Sequence, residues 1–196
     1  CQNNGEEMNP FLINYDTPYQ IPPFEKIEVI HYEPAFDEGM KQHLSEIEAI
    51  TNNKEDPTFE NTIVQLERTG KMLDKVSSVF FNLLGANTND QMDELASKIS
   101  PILSSHYDQI SLNQELFKRI KKVHDQRENL DLSVEQMRLL TETYKGFVRS
   151  GALLSKNSME QLKDINKKLS SLSIKFDQNV LKETNDGYSL VIENEE

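Results

Sequence analysis

The chain has 196 residues, with 21 basic and 33 acidic side chains that give a formal net charge of −12, and 36% of its residues are hydrophobic. This length fits one domain that can bury a core without disulfide bonds. The acidic excess argues against nucleic-acid binding, which needs clustered lysine and arginine to displace phosphate counterions. No run of about 18 apolar residues occurs, so the sequence predicts no helix that spans a bilayer.

The only cysteine in the sequence is Cys1, and a polar stretch follows it. A single thiol can form no internal disulfide bond. We interpret Cys1 as the lipidated first residue of a mature bacterial lipoprotein and residues 1–8 as its flexible tether. The predicted location is then the cell envelope, at the periplasm or outer membrane. The alternatives are an arbitrary chain boundary at Cys1 and a cytoplasmic protein.

The next stretch is rich in proline, which fixes φ and lacks an amide donor. Residues 9–33 are therefore predicted to form an extended arm. Many of its side chains are aromatic or aliphatic and too apolar for a free tail, so we expect the arm to pack on the domain. The prolines in and next to this arm are Pro10, Pro18, Pro22, Pro23 and Pro34.

From Pro34 onward the apolar residues recur with a helical period, which predicts an all-α domain over residues 34–186. Capping signals divide this domain into about six helices, and short connectors make adjacent helices antiparallel neighbours. The predicted starts are, in order, Pro34, Asp56-Pro57, the capping box Thr88-Asn89-Asp90-Gln91, Asn113, the capping box Ser133-Val134-Glu135-Gln136, and Asn157.

Three of these helices carry detailed expectations. The second is predicted to run without a break through Leu84, and the third to bend at Pro101 with Ile102 and His106 facing inward. The sixth is the longest, and its apolar residues follow spacings of three and four that predict a narrow seam against an antiparallel neighbour. The seam residues are Leu162, Ile165, Leu169, Leu172, Phe176 and Val180.

After the sixth helix, Asp186-Gly187 is a turn signal, and the apolar run from Tyr188 to Ile192 is typical of a strand. A lone strand after a helical chain has no partner for its backbone hydrogen bonds. Residues 187–196 are therefore predicted to be the truncated start of the next element of a larger fold.

The four histidines include no pair four residues apart, so the helical imidazole pair that holds zinc is missing. Glu28 and His31 have the spacing found in di-metal bundles, but such a site needs two pairs, and this pair lies in the predicted arm. We expect His43 and His124 to be solvated, and His106 to be a hydrogen-bonded core or boundary residue.

Other candidate groups also favour structural roles. His31-Tyr32-Glu33 matches the start of a deaminase zinc signature, but the Pro-Cys-x-x-Cys partner is absent. We interpret Lys118-Arg119-Ile120-Lys121-Lys122 as a solvated helix face, Phe80-Phe81 as core, and Arg149-Ser150-Gly151-Ala152 as a turn or helix contact. No residue is assigned a catalytic, cofactor-binding or metal-binding role, and Cys1 is the predicted lipidation site.

Read as an ordered string, the chain resembles the N-terminal part of bacterial peptidyl-dipeptidases (dipeptidyl carboxypeptidases), which belong to the thimet oligopeptidase family of zinc metallopeptidases. The resemblance covers residues 9 to about 192, and the stretch from Pro34 to Met40 is the most telling. The other matching segments include Asn9-Pro10-Phe11-Leu12, His31-Tyr32-Glu33, Asn61-Thr62-Ile63, Ser78-Val79-Phe80-Phe81, Thr88-Asn89-Asp90, Glu115-Leu116-Phe117 and Gly151-Ala152.

The resemblance implies a two-lobed helical enzyme with a deep channel, which holds one zinc ion and removes dipeptides from the C-termini of short unfolded peptides. The family's zinc motif lies in its C-terminal part, so the resemblance assigns no metal-binding residue here. It implies that this chain lines the channel, packs against the C-terminal catalytic region and is inert alone. The alternatives are a free-standing helical lipoprotein that binds a partner, and a metal-storing bundle.

Overall fold

A computed structural model describes residues 8–187, with the backbone alone at Asp186. Within these residues the chain is all-α and contains no strand, which confirms the predicted fold class. The tether, Cys1 and the strand predicted after Gly187 lie outside the described residues. Six helices have twelve residues or more: α1 Val29–Thr51, α2 Lys71–Ala86, α3 Asp90–Ser111, α4 Gln114–Asp125, α5 Val134–Arg149 and α6 Lys156–Asp186. None of the described helices is apolar enough over sufficient length to cross a bilayer.

The proline-rich arm packs on the helices, as predicted. It forms three short 3₁₀ turns, at Pro10–Leu12, Pro18–Gln20 and Phe24–Lys26. Lys75 on α2 binds the arm, because its Nζ donates hydrogen bonds to the carbonyl of Phe11 at 2.9 Å and to that of Ile13 at 2.7 Å. The arm is thus held by both a buried aromatic ring, that of Phe11, and a charged side chain.

Helix α1 begins at Val29, five residues before the predicted start at Pro34. A capping box explains the earlier start: the backbone N–H of Glu28 donates to Nδ1 of His31 at 3.0 Å, and the Glu28 side chain accepts from the His31 backbone. This box satisfies N–H groups that no helical carbonyl can reach. Pro34 then lies in the second turn, where its missing N–H removes one hydrogen bond only.

The predicted second helix is interrupted, so its continuity was wrong. Thr58 caps a π-helix at Phe59–Val64, which runs on through Gln65–Glu67, and α2 begins after Gly70. Gly70 has φ of +75°, a left-handed conformation that side chains disfavour. A Cβ there would also lie 2.9 Å from Cε1 of His43. The break therefore needs glycine for two separate reasons.

The buried residues form two hydrophobic clusters. The first lies between the arm, the N-terminal half of α1, α2 and the first part of α3, and includes Phe11, Phe36, Phe80 and Ile99. The second lies between the C-terminal half of α1, the π-helix, the end of α3, α4 and α5, and includes Ile47, Phe59, Ile110, Leu116, Ile120 and Leu140. Helices α1 and α3 run through both clusters and join them.

The long helix α6 packs on α3 along its length, but not through the predicted seam. The residues that face α3 include Asn166, Ile174 and Gln178, and the two amides donate to oxygens of α3. The predicted seam residues from Ile165 to Val180 are exposed instead. Ile102 of α3, predicted to face inward, is also exposed.

The helix caps agree with the sequence in two cases and shift in two others. Asn113 and Ser133 cap α4 and α5 as predicted, and Ser133 forms its capping box with Gln136. Helix α3 is capped by Asn89, whose Oδ1 accepts from the backbone N–H of Met92 at 3.0 Å. Helix α6 begins at Lys156, behind the cap Ser155 and one residue before the predicted start at Asn157.

Candidate functional site

A pair of histidines lies at the junction of the two hydrophobic clusters. Nε2 of His106 on α3 is 3.0 Å from Nδ1 of His43 on α1, and His106 is 5% exposed. On α1 the first cluster ends at Met40 and the second starts at Ile47, so His43 falls in the gap between them. This is the only histidine–histidine contact in residues 8–187. It joins α1 to α3 at the level where the first hydrophobic cluster ends and the second begins.

The hydrogen bonds around the pair fix which nitrogens carry protons. Oγ1 of Thr69 donates to the carbonyl of Leu66 at 2.8 Å, so it can only accept from Nε2 of His43, 3.2 Å away. His43 then has a bare Nδ1, which must accept from Nε2–H of His106. The result is a one-way chain of donors from His106 through His43 and Thr69 to the carbonyl of Leu66, in the helical segment before the turn at Gly70.

This arrangement favours the neutral imidazoles. Burial, together with the neighbouring His43, lowers the pKa of His106 to about 4. Burial also lowers the pKa of His43, although Glu46 and Asp74 oppose that shift. A proton added to Nδ1 of His43 would face the N–H of His106, so the bond that links α1 to α3 could form only with the other tautomer of His106.

A polar cleft of about 670 Å³ opens beside the pair, between α3, the turn after the π-helix and the start of α6. Asp108 is buried at its edge, and its Oδ1 accepts from Nδ2 of Asn166 at 2.7 Å. Asp74, Tyr107 and Arg149 also line the cleft. Burial is the main cause that raises the pKa of Tyr107, so its hydroxyl stays neutral at pH 7.

The structure tests the prediction made for each of the four histidines. His106 is a hydrogen-bonded residue of the core, as predicted, whereas His43, predicted to be solvated, is half-buried in the pair. His124 was also expected to be solvated, but its ring stacks on that of Tyr144 with centroids 3.9 Å apart. His31 lies in the capping box of α1 and not in an extended segment.

Three further candidate groups have structural roles. Lys118, Lys121 and Lys122 are exposed, as predicted for a solvated face, but Arg119 is buried and donates to the carbonyls of Asn53 and Glu55. Phe80 is buried in the core while Phe81 is partly exposed. Arg149 ends α5, and a turn follows at residues 150–152. Gly151 in this turn has φ of +98°, and a Cβ there would lie 2.8 Å from Cδ2 of Leu162.

The described residues do not fit a zinc site. Zinc is held by three or four histidine, cysteine or carboxylate ligands, and no group of three such side chains converges anywhere in residues 8–187. Three of the four histidines have a ring nitrogen committed to another protein atom: His31 to its helix cap, and His43 and His106 to each other.

The histidine pair could have been found from the sequence by its register. On α1 the positions 36, 40, 43, 47 and 50 follow spacings of four and three, which places His43 in the buried stripe. On α3 His106 holds the corresponding place between Leu103 and Ile110. Two histidines in buried stripes need partners, because an unpaired polar group in a core is costly.

Comparison with known proteins finds relatives over nearly the whole chain. It is 42% identical over 174 residues to a dipeptidyl carboxypeptidase of Escherichia coli, a match that covers 89% of this chain and 26% of the relative. A dipeptidyl carboxypeptidase of Salmonella typhimurium is 40% identical over 173 residues, with 88% and 25% coverage. A thimet-like oligopeptidase of Dictyostelium discoideum is 31% identical over 149 residues, with 74% and 21% coverage.

These matches define the chain as a homologue of peptidases. In particular, it is homologous to bacterial dipeptidyl carboxypeptidases, with more distant relatives named oligopeptidase A. The chain spans about a quarter of the length of the curated relatives it matches. No family model matches it.

Proposed function

We propose that the chain is the N-terminal helical part of a zinc metallopeptidase that removes dipeptides from the C-termini of peptides. The observation that carries the proposal is the 42% identity to the dipeptidyl carboxypeptidase of Escherichia coli over 174 residues. A function resides in particular sites and not in a fold. The proposed reaction is therefore inferred from the names of the relatives and not from the geometry of the described helices.

Within such an enzyme the described helices would form part of the wall of the substrate channel. The buried side chains of His106 and Arg119 support this structural role, because they bind another side chain or the backbone. His43 and His106 link α1 to α3, and Arg119 on α4 binds the backbone of the loop that follows α1. A rigid helical wall favours extended peptides as substrates, since a narrow channel excludes folded domains.

We further propose that zinc and the catalytic residues are supplied by polypeptide outside residues 8–187, so that this chain alone is inactive. The arrangement of the described histidines and carboxylates supports this part, because no group of three converges on a common point in residues 8–187. The C-terminal region of the same protein would then be the partner against which these helices pack.

A peptidase assay tests the proposal. The 196-residue chain and the product of the complete reading frame are each incubated with a tripeptide blocked at its N-terminus, with and without a zinc chelator. We expect dipeptide release from the complete product only, abolished by the chelator, and one zinc ion for each molecule of that product. Dipeptide release by the 196-residue chain alone would refute the proposal that zinc and the catalytic residues lie outside residues 8–187. A complete product that lacks both zinc and activity would favour the alternative of a helical binding module.

A further inference from the structure

The exposed stripe of α6 has the properties of an unoccupied helix–helix interface. The five side chains at positions 165, 169, 172, 176 and 180 are between 48% and 66% exposed, although each is large and apolar. They recur at spacings of four, three, four and four, so they share one face of the helix over ~22 Å. We call this face, formed by Ile165, Leu169, Leu172, Phe176 and Val180, the α6 stripe.

The orientation of α6 is opposite to that of an ordinary surface helix. Such a helix turns its apolar face to the core and its polar face to water. Helix α6 instead presents Asn166 and Gln178 towards α3, with Ile174 as an apolar residue between them, while the α6 stripe lies ~140° around the helix from that contact. Contiguous apolar surface of this kind marks an interaction site.

A groove extends the α6 stripe at its C-terminal end. It encloses about 480 Å³ between α2 and α6, and its walls include Phe81, Leu84, Phe176 and Val180. Phe81 is itself partly exposed there. The groove is therefore a place where a large apolar side chain of a partner could insert.

The charges beside the α6 stripe indicate the chemistry of the partner. Lys168, Lys175 and Lys182 recur every seven residues along one edge, and all three are exposed. Among the side chains that the structure describes, none of the three forms an ion pair. Flanking charges of this kind select the partner in helix pairs, so the partner helix should carry carboxylates along the facing edge.

The same lysines argue against a second copy of the chain as the partner. Two α6 helices packed antiparallel would bring like edges together and oppose lysine with lysine. Packed parallel, the lysine edge would meet the edge formed by Asn166, Ser173 and Asp177, which offers one carboxylate to three lysines. Like charges across a helix interface are destabilising, so self-pairing gains little from this edge.

We propose that the α6 stripe is the docking surface for an amphipathic helix with an acidic flank, supplied by the same polypeptide outside residues 8–187. This inference rests on the proposed function, because it assumes a protein as long as the relatives, of which this chain spans about a quarter. The partner helix would lie along α6 with its apolar residues on the stripe and its carboxylates against the three lysines.

The first test uses a peptide as the probe. A fluorescein-labelled peptide of three heptads, with leucine at the seam and glutamate at the flanks, is titrated with the 196-residue chain and followed by anisotropy. A second peptide has lysine at the flanks. We expect the glutamate peptide to bind at least tenfold more tightly, and the triple variant Lys168→Glu/Lys175→Glu/Lys182→Glu to reverse this preference.

Two further variants control this experiment. The matched triple Lys26→Glu/Lys54→Glu/Lys71→Glu has the same charge at exposed positions elsewhere and should change affinity less than twofold. The double variant Leu169→Asp/Leu172→Asp should abolish binding while the circular dichroism spectrum is retained, because both side chains are exposed. Equal binding of both peptides, or equal loss in both triples, would overturn the proposal. So would a dimer of the chain that this double variant dissociates.

The second test uses the complete gene product. In a Cys1→Ser background, the thiol of Leu172→Cys should react with a maleimide at least tenfold more slowly in the complete product than in the 196-residue chain. Ser171→Cys, which lies away from the stripe, should react equally in both. An active peptidase with a freely reactive thiol at position 172 would refute the docking surface while leaving the proposed function intact. A protected thiol in a product without peptidase activity would support docking and refute the function.

Discussion

Replacing His106 by glutamine removes one of the two imidazoles at the junction of the cores but keeps an amide that can donate to Nδ1 of His43. The folded protein holds His106 neutral because its pKa is lowered from 6.5 to about 4. The unfolded chain binds a proton at this residue below pH 6.5, whereas the folded protein does not until about pH 4. Stability is therefore lost as the pH falls through this window, at about 1.4 kcal/mol for each pH unit.

The total effect of this one group follows from the size of the shift. A fall of the pKa from 6.5 to about 4 corresponds to a loss on the order of 3 kcal/mol between neutral and acidic pH. At pH 7.5 the His106→Gln variant should be about 1–2 kcal/mol less stable than the wild type, through imperfect packing and hydrogen bonding. Near pH 4.5 the variant and the wild type should have equal free energies of unfolding, or the variant should be the more stable of the two.

Urea unfolding followed by circular dichroism at pH 7.5, 6.5, 5.5 and 4.5 measures the two curves. The control is Ile99→Val on the same helix, which removes a buried methylene and should cost about 1 kcal/mol at every pH. Its curve should run parallel to that of the wild type. If the His106→Gln curve is parallel as well, the lowered pKa of this histidine is not a source of acid sensitivity, and the neutral hydrogen-bonded pair is wrong.

Three other substitutions test single contacts: the turn at Gly70 beside the histidine pair, the buried Arg119, and the contact of Lys75 with the arm. Gly70→Ala should destabilise the protein by about 2 kcal/mol in thermal unfolding, because of its positive φ and its contact with His43, and Gly85→Ala, in open space, should not. Arg119→Met should cost about 2–3 kcal/mol in urea unfolding, since it leaves buried carbonyls unpaired, and an equally stable variant would show that these bonds contribute nothing. Lys75→Met should free the arm, so that limited proteolysis cuts near Ile13 several times faster than in the wild type; an unchanged rate would show that the two carbonyl contacts do not hold the arm.

Lipidation of Cys1 stays a prediction, because this residue lies outside the described part of the chain. Mass spectrometry of the native protein would show added acyl chains on the Cys1 peptide if the envelope location is correct. An unmodified thiol on that peptide would favour the arbitrary chain boundary.

Local signals in the sequence account for most of the fold. Asn113 and the capping box at Ser133 placed two helix starts correctly, because a cap is a contact between residues three positions apart. The break at Gly70 was missed, although the residue is glycine, because the apolar period continues on both sides of it. The start of α1 was missed because His31 substitutes for the usual glutamate or glutamine of a capping box.

The candidate site and the docking surface depend on long-range contacts. His43 and His106 are 63 residues apart in sequence, and only the packing of α1 on α3 brings their rings together. The sequence predicted the apolar stripe of α6 correctly as a face of one helix, but the predicted seam against an antiparallel neighbour was wrong, because these side chains are exposed. Periodicity reports which side chains share a face, whereas the tertiary arrangement decides which face meets another helix.

The sequence by itself thus determined the all-α class, the number of long helices, two of the caps and the relationship to peptidases, all of which are encoded by neighbouring residues or by matching strings. Only the tertiary structure revealed that two histidines join the cores and that α6 turns its apolar face outward. The physical reason is that burial and pairing belong to the contact between elements. The sequence of any one helix is compatible with several such contacts.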